Sequence, residues 1–100
     1  MIVVRNVFQL KFGKAKDALA LWKEGLELFR KNSTHGKNPR VLTDVSGPFY
    51  SLVFEASYGS LAEFESEAKA VMGSAEWQSW YAKFVPLVKA GGREIYSVVL

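Results

Sequence analysis

The sequence predicts an α+β fold of the ferredoxin-like sandwich type: β-α-β-β-α-β, a four-stranded antiparallel sheet with helices on one face. Three observations lead there. Apolar and polar residues alternate with period two in residues 2–12 and 50–58, and Ile95, Tyr96, Val98 and Val99 give 93–100 a strand composition. Apolar residues at helical spacing fill the segments between these strands. Clusters of Gly, Pro, Asn and Ser punctuate the joins.

Taken in order, Ile2, Val4, Asn6, Phe8, Leu10 and Phe12 share one face of the first strand, and Val3, Arg5, Val7, Gln9 and Lys11 the other. Gly13-Lys14 breaks it. A helix follows over about residues 14–31, with Ala15, Ala18, Leu19, Trp22, Leu26 and Phe29 on its apolar stripe. Arg30 and Lys31 stand where the carbonyl pole of the helix favours cations. Gly25 lies on the same stripe at a cost of ~1 kcal/mol against Ala, which implies a close packing approach. Residues 32–39 read as a loop by composition. A second strand runs from Arg40 to Ser46, Gly47-Pro48 turns the chain, and a third runs from Tyr50 to Tyr58, making a hairpin. Ser60 and Glu63 form a capping box, each side chain bonding the other's orphan N–H. They open a second helix with Leu61, Phe64, Ala68, Val71 and Met72 on its buried stripe. Gly73-Ser74 interrupts it, and Ser74 caps a further helical segment carrying Trp77, Trp80, Tyr81, Phe84, Val85 and Val88. Pro86 ends or kinks that segment, Ala90-Gly91-Gly92 stops it, and residues 93–100 form the last strand.

With right-handed crossovers this order gives a sheet arranged 4-1-3-2. The even face of strands one and three should meet the helices. The odd face carries Val3, Val7 and Val53 among Arg5, Gln9, Ser51, Glu55 and Ser57, with Arg5 and Glu55 placed to pair across strands. Such a face is too apolar for water alone and too polar for a monomer's core. Packing it on the same face of a second copy resolves the conflict, so a homodimer is expected.

Composition narrows the function. One hundred residues suit one domain, expected to span 1–100, and 49% hydrophobic with 23% charged residues is globular rather than disordered. The absence of Cys excludes a disulfide scaffold, a thiolate zinc site and a Cys nucleophile. No stretch approaches the ~20 apolar residues of a membrane span, and no basic leader opens the chain. A soluble cytoplasmic protein without a membrane partner is the expectation. The net charge of +3 is spread loosely, and a nucleic-acid footprint would be denser.

Asn6 is a lone polar side chain on the helix-facing surface of strand one. It is either a core amide bonded to helix backbone or water, or a group that orients a ligand between sheet and helices. Tyr58, Trp77, Trp80 and Tyr81 belong, with Trp22, Tyr50 and Phe54, to an aromatic-rich set that is either core or, beside the Gly73-Ser74 break, the wall of such a pocket. With Asn6, the first four are the candidate ligand-binding residues. His35 lies in a polar loop without a partner motif and reads as a surface residue. Arg40 and Asp44 read as a surface pair, and Glu63 and Glu67 as part of a solvated helix face. Nothing suggests a converging Ser-His-Asp set or a Gly-rich phosphate loop. No metal and no cofactor are expected. Tyr50-Ser51-Leu52-Val53-Phe54 lacks the aromatic-Gly-aromatic run of RNA-recognition strands.

Gly47-Pro48-Phe49-Tyr50-Ser51-Leu52-Val53-Phe54-Glu55, then Tyr58-Gly59-Ser60-Leu61-Ala62-Glu63-Phe64, then Glu76-Trp77-Gln78-Ser79-Trp80-Tyr81 with Pro86-Leu87 behind, resemble the NIPSNAP-like branch of the dimeric α+β barrel superfamily. The resemblance covers nearly the whole chain in element order. It implies a dimer whose two sheets close into a barrel with helices outside, and it implies little about chemistry. The same superfamily holds cofactor-independent and haem-degrading monooxygenases. In the latter an Asn on strand one, a Trp on helix two and a His shortly after it frame the haem. Asn6 matches the first, Val71 stands at the Trp position and Tyr81 at the His position. Three functions follow: a dimeric barrel that binds a small apolar or aromatic molecule, a cofactor-independent monooxygenase acting on a phenolic or quinone-like substrate or else a haem-type one, and a non-catalytic interaction module.

Overall fold

Alternation in β1 (Ile2–Leu10) decides which way the sheet faces: Val4 and Leu10 are buried under helices, while Val3, Arg5 and Val7 turn to the opposite side. The computed structural model describes residues 1–100. After β1 come α1 (Ala15–Asn32), β2 (Lys37–Thr43), β3 (Ser51–Tyr58), α2 (Leu61–Glu67), α3 (Ala75–Phe84) and β4 (Val88–Ser97). A π turn at Ala68–Met72 prolongs α2, and a 3-10 turn at Val85–Leu87 finishes α3. The four strands are antiparallel in the order β2-β3-β1-β4, as predicted. Extents of 36 × 34 × 18 Å leave room for one sheet and one helix layer.

Leu52, Phe54, Ala56 and Tyr58 of β3 are buried beneath the helices, as the even-face pattern requires. Trp22 of α1 is the hub. Its ring lies 4.8 Å from Phe54, 4.7 Å from Trp80 and 5.5 Å from Phe84, centroid to centroid, mostly edge-on. The α1 stripe is Ala18, Trp22, Gly25 and Phe29, whereas Leu19 is 40% exposed. Gly25 faces α3 rather than the sheet. A Cβ there would overlap the Trp80 indole, whose Nε1 donates to the Leu21 carbonyl at 2.8 Å. One tryptophan therefore lies flat across one turn of α1.

Several local expectations change. β2 begins at Lys37, not Arg40: Asn38 adopts φ 51° and the register shifts between Lys37 and Arg40, a bulge that accommodates Pro39 on an edge strand. β4 begins at Val88, so Ala90, Gly91 and Gly92 are strand residues and not a stop. Glycine suits position 91 because a Cβ there would meet Phe8 Cδ1 at 3.0 Å. The Ser60 hydroxyl accepts from Glu63 N–H at 3.2 Å, but the Glu63 carboxylate accepts from Gly59 N–H at 3.0 Å, one residue earlier than a reciprocal box. Ser74 caps α3 by accepting from Trp77 N–H at 3.2 Å.

Arg40 does not pair with Asp44. Its Nε donates to Glu55 at 2.6 Å, while Asp44 accepts from Ser51 N–H at 2.8 Å and closes the β2–β3 connection. Glu55 also lies 3.6 Å from Arg5, and Arg5 lies 3.9 Å from Glu94. The strand register thus lines up Arg40, Glu55, Arg5 and Glu94 as a row of alternating charge across the helix-free face.

In Gly25→Ala the better helix propensity of Ala, ~1 kcal/mol, opposes overpacking that costs about 1–3 kcal/mol and occasionally more. The indole cannot retreat without losing its hydrogen bond, so overpacking wins. Urea denaturation should show a net loss of about 1–2 kcal/mol.

Candidate functional site

β1 sets Asn6 directly opposite Phe54 of β3 and Arg93 of β4, on the helix-facing side. Above that row the helix layer leaves a cavity of about 540 Å³, within the range of small-molecule sites. Phe8, Trp22, Phe54, Trp77 and Tyr81 supply aromatic walls. Met72, at the end of the π turn, also lines it. Asn6, Gln78 and Arg93 bring the polar side-chain groups besides the tyrosine hydroxyl and the tryptophan N–H groups.

Asn6 is neither bonded to helix backbone nor left alone. Its Oδ1 accepts from Arg93 Nε at 2.8 Å. The same guanidinium lies over the Phe64 ring, 5.2 Å from its centroid. The ion pairs of the protein involve Arg5, Lys14, Arg30, Lys31 and Arg40 as cations, but not Arg93. Trp22 is only 2% exposed, and its indole Nε1 has no acceptor in the protein. Buried donors are paired in most proteins, because an unmet one costs about 1–3 kcal/mol.

Of the five residues singled out in the sequence, Asn6, Trp77 and Tyr81 line the cavity, and Tyr58 and Trp80 do not. Trp80 is committed to α1 through Gly25 and the Leu21 carbonyl. Tyr58, 1% exposed, packs edge-on against Phe64 at 5.3 Å and donates to Glu67. Val71, at the position a tryptophan holds in haem-degrading proteins, is buried in the core and does not line the cavity. No histidine lines the cavity, while Tyr81, which stands at the histidine position, does.

Glu67 is not on a solvated face. It falls between Phe64 and Val71 on the buried stripe and is 2% exposed. Its carboxylate accepts from the Ser33 hydroxyl at 2.8 Å and from the backbone N–H groups of Thr34 at 2.9 Å, His35 at 2.7 Å and Gly36 at 3.3 Å. The loop after α1, including half-buried His35, is strapped to α2 through this one side chain. Burial alone would raise its pKa, but the donations from His35, Ser33, Tyr58 and Thr34 outweigh burial and hold it below the ordinary glutamate value. Burial first, then the Glu67 charge, pushes the Tyr58 hydroxyl far above its usual range, against a weaker pull from Arg93.

Trp22 and Phe54 of the aromatic-rich set also line the cavity, together with Arg93, Gln78, Met72 and Phe8, which the sequence does not mark out. Arg93 was findable: an antiparallel register placing β4 beside β1 sets it opposite Asn6. That register needed the strand to begin at Val88.

The NIPSNAP family model matches residues 4–99, so the chain belongs to the NIPSNAP family. An uncharacterised NIPSNAP domain protein from Burkholderia xenovorans is similar at 19% identity with a TM-score of 0.87, over 99% of this chain and 95% of that one. A NIPSNAP family protein from Agrobacterium tumefaciens is similar at 18% identity with a TM-score of 0.83, over 95% and 82%. A putative antibiotic biosynthesis monooxygenase from Nitrosomonas europaea is similar at 13% identity with a TM-score of 0.77, over the whole of both chains. At these identities the likeness is one of fold. No curated protein matches the chain. No helix is long and apolar enough to cross a membrane.

Because the folded pKa of Glu67 is depressed, its contribution to stability is complete above the unfolded value of about 4.3 and is lost as pH falls through the folded value. Glu67→Gln should lower Tm at pH 7 by about 5 °C or more. Its Tm should also fall less steeply than that of the wild type between pH 5 and lower values, in calorimetric scans.

Proposed function

We propose that this protein is a homodimeric barrel that binds a small apolar or aromatic molecule between its sheet and its helices. The observation that carries the reading is the cavity of about 540 Å³, with five aromatic residues among its walls. Its lining holds no carboxylate, histidine, serine, threonine or cysteine, which suits holding a ligand better than exchanging protons with it. The homodimer is supported by the helix-free sheet face. There Val3 and Val7 remain half-buried, Tyr96 is exposed, and the Arg40-Glu55-Arg5-Glu94 row is electrically balanced within each chain. Two such rows meeting across a two-fold axis carry no excess charge into the interface.

Saturable quenching of tryptophan fluorescence by 2-naphthol, with a dissociation constant in the micromolar range, is the expected result. Ala82→Phe, which puts a ring into the cavity from α3, should abolish it while leaving the melting curve intact. Absence of quenching in the wild type would remove the ligand reading, and oxygen uptake with a hydroquinone panel would replace it with the monooxygenase. Light scattering should give twice the chain mass at micromolar concentration, and Val7→Arg should give the monomer. A wild-type monomer would refute the dimer.

A further inference from the structure

We propose that the cavity is an anion receptor for a planar aromatic carboxylate, with the guanidinium of Arg93 holding the carboxylate group. The inference rests on the ligand-binding reading and deepens it by naming the ligand's chemical class.

Arg93 is the one charged residue of the cavity lining. A second hollow, of about 390 Å³, adjoins it and shares Asn6, Phe8, Tyr81, Val85 and Arg93, adding Lys89. No acidic residue lines either space, so the joined site is cationic. Gly91 and Gly92 also line the second hollow, so two of its β4 positions carry no side chain.

The guanidinium is already positioned. The Asn6 amide oxygen takes its Nε–H at 2.8 Å, and the Phe64 ring supports one of its faces at 5.2 Å. Neither terminal nitrogen donates to any protein group, and no carboxylate pairs with it. What remains is a fixed planar fork of N–H donors, the shape that accepts both oxygens of a carboxylate. Ordering a long side chain normally opposes binding, and here Asn6 and Phe64 have ordered it beforehand.

The walls select the rest of the ligand. Trp22, Trp77, Phe8, Phe54 and Tyr81 offer ring surfaces to a flat apolar body.

The test is fluorescence titration at pH 7 with 2-naphthoate and with methyl 2-naphthoate, a neutral probe of nearly the same shape. Wild-type protein should bind the carboxylate about tenfold tighter than the ester, or better. Arg93→Gln should bring the two probes to equal affinity, and Arg93→Lys should restore only part of the preference. If Arg93→Gln fails to fold, Asn6→Ala, which frees the guanidinium, should reduce the preference in the same direction. Equal affinity for the two probes in the wild type would overturn the anion receptor while leaving the ligand cavity standing. A preference that survives Arg93→Gln and disappears in Lys89→Gln would overturn the role of Arg93. Failure of both probes to quench would remove the cavity reading and this one with it.

Discussion

The seat of Trp80 on α1 governs where the other parts of the helix layer can stand. Gly25 contributes by lacking a side chain, and the Leu21 carbonyl contributes an acceptor, so the indole can lie against the helix backbone itself. That contact fixes the rotation of α3 about its own axis. Trp77 and Tyr81 stand three residues before Trp80 and one after it, so the same rotation carries both to the cavity side. Trp22 follows Leu21 on α1 and fills the space between the two helices and the sheet, touching Phe54, Trp80 and Phe84. The aromatic walls are therefore a by-product of one close helix–helix approach.

Two buried carboxylates and one exposed guanidinium are handled in three ways. Glu67 is surrounded by hydrogen-bond donors from one loop and stays ionised without a cation beside it. Glu55 is balanced by arginines on both neighbouring strands. Arg93 is given an amide oxygen and an aromatic face, which orient it without neutralising it. The first two arrangements are closed, since each charge is met inside the protein. The third leaves a directed positive charge at the rim of an apolar space, and electrostatic attraction between an oriented cation and an anion is stronger there than in open water.

Element order, sheet order and the helix-facing side of β1 and β3 were all legible in the sequence, because period two and period 3.6 are written in side-chain type alone. Asn6 stood out for the same reason, as a break in an apolar row. What was not legible depended on partners distant along the chain. Trp77 and Trp80 look alike at three-residue spacing, and only the neighbour of each distinguishes a cavity wall from a helix–helix wedge. Glu67 reads as solvated because its donors are the backbone N–H groups of a loop 31 to 33 residues away, and backbone donors leave no mark in residue identity. Ala90-Gly91-Gly92 imitates a helix stop because glycine usually ends helices; here it is a strand passing under the Phe8 ring. Losing those residues from β4 concealed the pairing of Arg93 with Asn6.

The π turn at Ala68–Met72 is one residue wider than an α-helical turn, and Met72 reaches the cavity from its last position. Removing a single residue from this stretch would restore an ordinary helical turn and draw in the chain beyond it by one residue. Met72 would leave the wall, and the Gly73-Ser74 joint would have to absorb the change before α3. Chain length at this one spot is thus a dial on the depth of the chamber. Related proteins differing by one insertion or deletion here could share the walls supplied by α1 and the sheet and still accept molecules of different length.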